Sequence, residues 1–199
     1  MDKADKIINY NFYHWGPFLY QTILQPEELM KIKKLCSKKT KDYRKNLAGL
    51  IRHEHLVDSK KLFPIISPYF YSYCQARHQH YNVGKPLNNK VKLVTSWVNY
   101  MNKFESNPMH THDNDLSFVI FTKIPKQLKE ENAKAISNTK PGCINFVYTL
   151  ADIKTNLNQH TFFPREGDFF IFPANLHHYV NHFTSEGERI SVSGNLDVS

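Results

Sequence analysis

The chain has 199 residues, of which 41% are hydrophobic and 14% aromatic, with a mean hydropathy of -0.53 and a net charge of +8. This composition predicts an ordinary globular protein with a substantial core, and no apolar run approaches the ~20 residues that a membrane span needs. The first residues, MDKADKIINY, lack a signal-peptide pattern, and three scattered cysteines fit neither a disulfide framework nor a CxxC metal site. We therefore expect a cytoplasmic protein with reduced thiols.

The positive charge is concentrated in the early segment KIKKLCSKKTKDYRK, residues 31–45. The simplest interpretation is a solvated helix face followed by a loop. A basic segment also attracts nucleic acid, but charge alone sets association rates and does not identify a partner. Nucleic acid is therefore a possible partner that the sequence does not favour.

Two helices are predicted in the first part of the chain. Gln25-Pro26-Glu27-Glu28 is typical of a helix start, because proline and acidic residues are favoured in the first turn. Apolar residues between positions 62 and 74 then follow helical spacing. Prolines at 64 and 68 interrupt this pattern, so we expect the second helix to begin near residue 68.

From Val91 onward the pattern changes to short β-rich runs separated by turn signals such as Asn-Pro and Pro-Gly. Helices followed by many short strands predict a mainly β fold, a sandwich or barrel buttressed by N-terminal helices. We expect one domain, 1–199, in which residues 1–90 are mainly helical support and residues 91–199 form the β core. The candidate strands are VKLVTSWVNYM (91–101), LSFVIFT (116–122), CINFVYT (143–149), DFFIF (168–172), HYVNHF (178–183) and RISVSGNL (189–196).

Three His-x-His pairs are candidates for metal binding, because residues two apart in an extended chain point to the same side. The pair at 78 and 80 falls near a predicted helix end, where such residues diverge, and the pair at 53 and 55 has no distinctive context. His110 and His112, within NPMHTHDND, follow a turn and precede a strand, so their side chains can project together. His178 is the downstream candidate for a third ligand.

The strand RISVSGNL has one polar and one largely apolar face. Its polar face carries Arg189, Ser191, Ser193 and Asn195. Such a face fits a solvated outer surface. It also fits a pocket in which an arginine with hydroxyl support holds a carboxylate.

In this order and spacing, NPMHTHDNDLSFVIF, PREGDFFIFPANLHHYVNHF and ERISVSGN resemble the 2-oxoglutarate/Fe(II) oxygenases related to prolyl hydroxylases, including forms found in marine bacteria and tailed phages. The resemblance covers about the last half of the chain and implies a double-stranded β-helix, a jelly-roll of the cupin-like type. It implies that His110 and His178 are metal ligands and that Arg189 binds the C5 carboxylate of 2-oxoglutarate. Ser191 is expected to assist Arg189, and Asn99 to line the same pocket.

The sequence departs from the family pattern at one ligand. Most members have a carboxylate two residues after the first histidine, whereas this chain has His112. Asp113 and Asp115 are near, but in an extended strand they face away from His110. We therefore expect three histidine ligands, His110, His112 and His178, with Asp115 reached through a local kink as the alternative.

The resemblance implies an Fe(II)- and 2-oxoglutarate-dependent dioxygenase with no catalytic residue beyond the metal site. Such an enzyme uses dioxygen, hydroxylates a peptide, protein or small-molecule substrate, and releases succinate and CO2. Two alternatives remain open at this point. One is a cupin-like three-histidine metalloprotein that does not use 2-oxoglutarate, and the other is a non-catalytic basic module that binds nucleic acid.

Overall fold

The computed structural model describes residues 16–81, 90–136, 140–148 and 158–198. None of the helices in these ranges is long and apolar enough to cross a membrane. In chain order the elements are β1 (Tyr20–Ile23), α1 (Pro26–Leu35), a 3-10 turn (Arg44–Asn46), β2 (Glu54–Leu56), α2 (Ser59–Tyr81), β3 (Val91–Met101), β4 (Asn107–His110), β5 (Leu116–Lys123), α3 (Lys126–Lys134), β6 (Ile144–Val147), β7 (Gln159–Phe162), β8 (Asp168–Pro173), β9 (His177–Val180) and β10 (Arg189–Val198).

Two antiparallel sheets form the core. The major sheet has the strand order β1-β8-β5-β10-β3-β2, and the minor sheet has the order β4-β9-β6-β7. From β3 to β10 the chain crosses between the two sheets at nearly every connection, which is the winding of a double-stranded β-helix. The predicted fold class, mainly β with supporting helices, is confirmed.

The two faces of the major sheet pack against different partners. On the outer face, α1 and α2 bury Ile32, Leu62 and Phe70 against β-strand residues such as Val98 and Val192. The inner face shares a second apolar cluster with the minor sheet, to which Phe121 and Phe170 contribute from one side and Ile144 and Phe146 from the other. Alternation of side chains along each strand therefore supplies both cores.

The second helix begins at Ser59, so the expectation of a start near residue 68 is wrong. Pro64 and Pro68 both lie within α2, and both are exposed. Because they are four residues apart, they share one face, and the carbonyls left without a helical partner can be hydrated by solvent. Asp58 stabilises the start, since its carboxylate accepts a 3.0 Å hydrogen bond from the Lys60 backbone N–H.

Candidate active site

Three imidazoles converge at one edge of the minor sheet. His110 ends β4 and pairs directly with His178 of the neighbouring strand β9. His112 lies two residues beyond β4, where its backbone N–H donates to the Ala174 carbonyl at 2.9 Å. The ring centroids are 4.2 Å apart for His110 and His178, 5.0 Å for His110 and His112, and 5.2 Å for His112 and His178. One ring nitrogen from each residue lies within 4.8 Å of the other two.

Backbone carbonyls fix the tautomers of two of these rings. His110 Nδ1 lies 2.7 Å from the Pro108 carbonyl oxygen, and His178 Nδ1 lies 2.9 Å from the Leu176 carbonyl oxygen. Because a carbonyl only accepts, each Nδ1 must carry the proton and donate. This leaves the Nε2 lone pair of both rings free, the arrangement that orients histidine ligands at metal sites.

Burial keeps all three rings neutral. It lowers the pKa of His178 to about 3 and of His112 to about 4, and it also lowers the pKa of His110. The proximity of His110 adds a smaller effect of the same sign at the other two. At neutral pH all three imidazoles are therefore in the unprotonated form that binds a metal ion.

Neither nearby acid joins this group. Asp115 Oδ2 accepts a 2.8 Å hydrogen bond from the Val198 backbone N–H, which holds the carboxylate against the end of β10. Within the part of the chain that the structure describes, the three histidines form the one group of histidine, cysteine and acidic side chains close enough to share a metal ion. His177, the exposed neighbour of His178, is not part of it.

A buried guanidinium lies in the same cavity. Arg189, the first residue of β10, is 3% exposed and has no acidic partner among the described residues. Its guanidinium stacks 4.7 Å from the Phe121 ring centroid, Nη1 lies 3.7 Å from Met101 Sδ, and Nε has no hydrogen-bond partner. Burial lowers the pKa of Arg189 to about 10, so the group is still charged at neutral pH. A buried cation without a counter-charge is costly, and an anion in the cavity would offset that cost.

Polar side chains on β3 and β10 line the same cavity as the guanidinium and the imidazoles. Asn99 Nδ2 lies 3.4 Å from both Ser191 Oγ and Ser193 Oγ. The register places Ser191 directly opposite Asn99. Arg189, Ser191, Asn99 and the three imidazoles all border one cavity, so every candidate site residue of the sequence lies around it.

The cavity also contains residues that the sequence did not identify, and Asn107 is the most instructive. It lies three positions before His110, so strict alternation along a strand would place the two side chains on opposite faces. An irregularity in the pairing of β4 with β9 between these residues changes that register, and both line the cavity. The only sequence signal was the Asn-Pro dipeptide, which indicates a turn rather than a site.

The comparisons with known proteins agree with this architecture. The family model described as "Putative 2OG-Fe(II) oxygenase" matches residues 95–195, half of the chain. The cavity-bearing double-stranded β-helix is thus that of an oxygenase, and the chain belongs to the 2OG-Fe(II) oxygenase family. The predicted family is confirmed: the protein is an enzyme, a dioxygenase that uses Fe(II) and 2-oxoglutarate.

Solved structures share the fold at low sequence identity. An oxidoreductase of the 2OG-Fe(II) oxygenase family from Burkholderia pseudomallei has a TM-score of 0.56 at 13% identity, over 92% of this chain and 84% of that chain. A Pseudomonas putida prolyl-4-hydroxylase has a TM-score of 0.54 at 12% identity, over 90% and 91%. HygX from Streptomyces hygroscopicus, with nickel, 2-oxoglutarate and hygromycin B bound, has a TM-score of 0.52 at 10% identity, over 92% and 82%. A search of the curated proteins found no match.

Proposed function

We propose that His110, His112 and His178 bind the iron and that Arg189, with Ser191 and Asn99, binds 2-oxoglutarate, so that the enzyme hydroxylates its substrate and releases succinate and CO2. One observation carries the proposal. Three neutral imidazoles and a buried guanidinium without a counter-charge border the same cavity. A divalent metal and a dianion are the two ligands that these groups fit.

The donor set suits iron. Neutral imidazole nitrogens bind Fe(II), and the carbonyls at Pro108 and Leu176 already orient two of them through Nδ1. The iron, when bound, supplies the activation of dioxygen and the oxidative decarboxylation of 2-oxoglutarate. Three neutral ligands leave the site one charge more positive than two histidines and a carboxylate, which favours an anionic co-substrate.

Arg189 fits the end of 2-oxoglutarate that does not react. A planar guanidinium whose Nε–H has no partner among the described residues can hold a carboxylate in a fixed orientation, and a charge-assisted hydrogen bond is strong where water is excluded. Ser191 donates its hydroxyl to the same carboxylate, and Asn99 holds the two serines of β10 in place. These residues therefore set how far the co-substrate reaches toward the imidazoles.

The remaining cavity walls exclude water. Trp97, Met101, Ile144, Phe172 and Val180 are buried and apolar, and all border the cavity. A dry wall strengthens the electrostatic hold of Arg189 on its anion and protects a reactive oxidant from side reactions. The chain thus positions and orients the bound metal and co-substrate and keeps water away from them.

The substrate in this proposal is a peptide, a protein or a small molecule. Among the structures that share the fold, one is a prolyl-4-hydroxylase and another holds hygromycin B. Nucleic acid is not favoured, because positive charge alone does not identify a partner, and three of the eight cations in the basic segment 31–45 are paired with acids. These pairs are Lys33 with Glu166, Lys38 with Glu188 and Arg44 with Asp42.

Two further expectations belong to this proposal. One is that residues 1–199 form a single domain, and the core that α1 and α2 share with the major sheet supports it. The other is a cytoplasmic location, which is consistent with three free cysteines.

The proposal is tested by adding Fe(II) and then 2-oxoglutarate to the protein without oxygen. We expect a metal-to-ligand charge-transfer band in the visible spectrum, because 2-oxoglutarate chelates the iron. The band should require His178 and should need far more 2-oxoglutarate in Arg189→Met. Folded wild-type protein that gives no band would overturn the assignment.

A further inference from the structure

A buried acidic side chain lies beside this cavity and has no role in the proposed function. Glu54 of β2 is 1% exposed, and neither of its carboxyl oxygens has a hydrogen-bond partner in the described structure. Glu54 pairs directly with Asn99 of β3, so the two side chains lie on the same face of the major sheet. Asn99 borders the cavity, and Glu54 is therefore its lateral neighbour at the sheet edge.

Two buried amide oxygens, like the carboxyl group of Glu54, accept no hydrogen bond from the described residues. Asn99 Oδ1 and Asn107 Oδ1 are both buried without a partner in the ranges that the structure describes. Asn107 belongs to β4, the edge strand of the minor sheet, and β2 is an edge strand of the major sheet. The segment before β2 joins these two edges, because the Leu50 backbone N–H donates to the Ser106 carbonyl at 2.9 Å.

The charged groups around Glu54 do not neutralise it. Arg44 is held by Asp42 at 2.5 Å, and the side chain of Arg52 is 86% exposed and lies 3.8 Å from Glu105. Burial raises the pKa of Glu54 to about 7, and the proximity of Glu105 adds to this rise. The surroundings therefore supply more acceptors and negative charge than donors, and an unpaired buried acid is costly.

The backbone of Gly49 fixes the acid from the other side. A Cβ atom at this position would lie 2.7 Å from Glu54 Oε1. A side chain at position 49 would therefore displace the carboxyl group. The pairing with Asn99 places Glu54 on the face of the sheet that Asn99 presents to the cavity, and Gly49 leaves its carboxyl group little room to move away.

We propose that Glu54, with the amide oxygens of Asn99 and Asn107, binds a cationic nitrogen group of the substrate. This inference rests on the proposed function and names its substrate class: an amine or a basic side chain that carries an ammonium or a guanidinium. Such a group has several N–H donors, so one ligand satisfies acceptors from both sheets. Arg189 attracts the anionic co-substrate, and Glu54 selects against a second anion.

The inference is tested by calorimetric titration of the full chain loaded with Zn(II) and 2-oxoglutarate. The probes are butylguanidinium and butylammonium, and the neutral comparison is butylurea, which has nearly the shape of butylguanidinium. We expect at least one cation to bind about tenfold more tightly than butylurea, since hydrogen bonds to a charged partner are roughly twice as strong as neutral ones. Glu54→Gln, which is isosteric and uncharged, should reduce this preference to less than about threefold.

The matched control is Glu186→Gln, which removes the same charge from a side chain that is 74% exposed and paired with Lys103. It should leave the preference unchanged. If Glu54→Gln does not fold, Asn107→Leu removes an acceptor from the opposite sheet and should weaken cation binding about tenfold. A wild-type protein without the preference, or variants at position 54 or 107 that keep it in full, would overturn the inference.

The same samples separate this inference from the proposed function. Binding of Zn(II) and 2-oxoglutarate is measured before any probe is added, and Glu54→Gln should retain both. Wild-type protein that binds neither would overturn the proposed function and this inference together. Protein that binds both but shows no cation preference would overturn this inference alone.

Discussion

The two sheets of the double-stranded β-helix contribute different halves of the site. The minor sheet consists of four-residue strands, and its edge carries the imidazoles of His110 and His178. The major sheet has strands of up to 11 residues sealed by two helices, and it carries Arg189, Ser191 and Asn99. The proposed function therefore assigns the metal and the far carboxylate of the co-substrate to separate sheets, and it predicts that substitutions in the major sheet leave the metal bound.

The largest expected effect is at His178. In His178→Ala the affinity for Fe(II) or Co(II) should fall at least about a thousandfold, because loss of a ligand exceeds the 10–100-fold cost of losing its supporting partner. Equilibrium dialysis measures the affinity. His177→Ala, at the exposed neighbouring position, should bind metal like the wild type. If His178→Ala binds metal as tightly as the wild type, the three imidazoles are not the metal site.

The converse substitution is in the major sheet. Arg189→Met keeps an unbranched apolar stem but removes the guanidinium and its charge, and 2-oxoglutarate should bind about 100-fold more weakly. Metal affinity in the same protein should stay within about twofold of the wild type. Arg52→Met, at an arginine that is 86% exposed, is the control for loss of charge. If Arg189→Met lowers the affinities for metal and for 2-oxoglutarate equally, the two sheets do not have separate roles.

The buried imidazoles also make the metal-free protein acid-sensitive. The pKa of His178 is lowered from 6.5 to about 3 by burial, whereas in the unfolded chain it is near 6.5. Between these values the unfolded chain binds more protons, so folding stability should be complete above pH 6.5 and fall as the pH drops. His178 alone should cost roughly 2 kcal/mol between pH 7 and pH 5. Urea denaturation at several pH values should show that the free energy of unfolding depends less steeply on pH in His178→Phe than in the wild type. An equally steep dependence would show that His178 is not its cause.

The smallest expected effect is at Ser191. A hydroxyl that shares a carboxylate with Arg189 contributes one ordinary hydrogen bond, so Ser191→Ala should weaken 2-oxoglutarate binding about fivefold. The affinity follows from the intensity of the charge-transfer band against co-substrate concentration. Ser59→Ala, in a serine whose hydroxyl lies 2.8 Å from Ser96 Oγ at the start of α2, is the control. A loss as large as that of Arg189→Met would make Ser191 a principal anion ligand.

The sequence predicted the strands that carry strong β patterns and missed those that do not. β3 occupies the predicted residues 91–101, and β5, β6, β8, β9 and β10 overlap the other predicted strands. Four short strands were missed: β1, β2, β4 and β7. These contain three or four residues each and lie at sheet edges, where pairing with a neighbour determines the conformation more than local preference does.

The sequence could indicate that the candidate residues lie together, because their spacing reflects strand geometry and a family resemblance. Arg189 and Ser191 alternate along one strand, and His110 and His112 flank a single residue. The structure brings all six candidate residues to one cavity. Glu54 could not be found in this way, because its importance depends on burial and on the absence of a partner, which only the three-dimensional packing reveals.

The central claim is that three imidazoles share one iron, and X-ray absorption spectroscopy of the Fe(II)-loaded protein tests it most directly. The account predicts scattering from three imidazole rings in the wild type and from two in His112→Ala. Two rings in the wild type, with an oxygen ligand in place of the third and no change in His112→Ala, would contradict it.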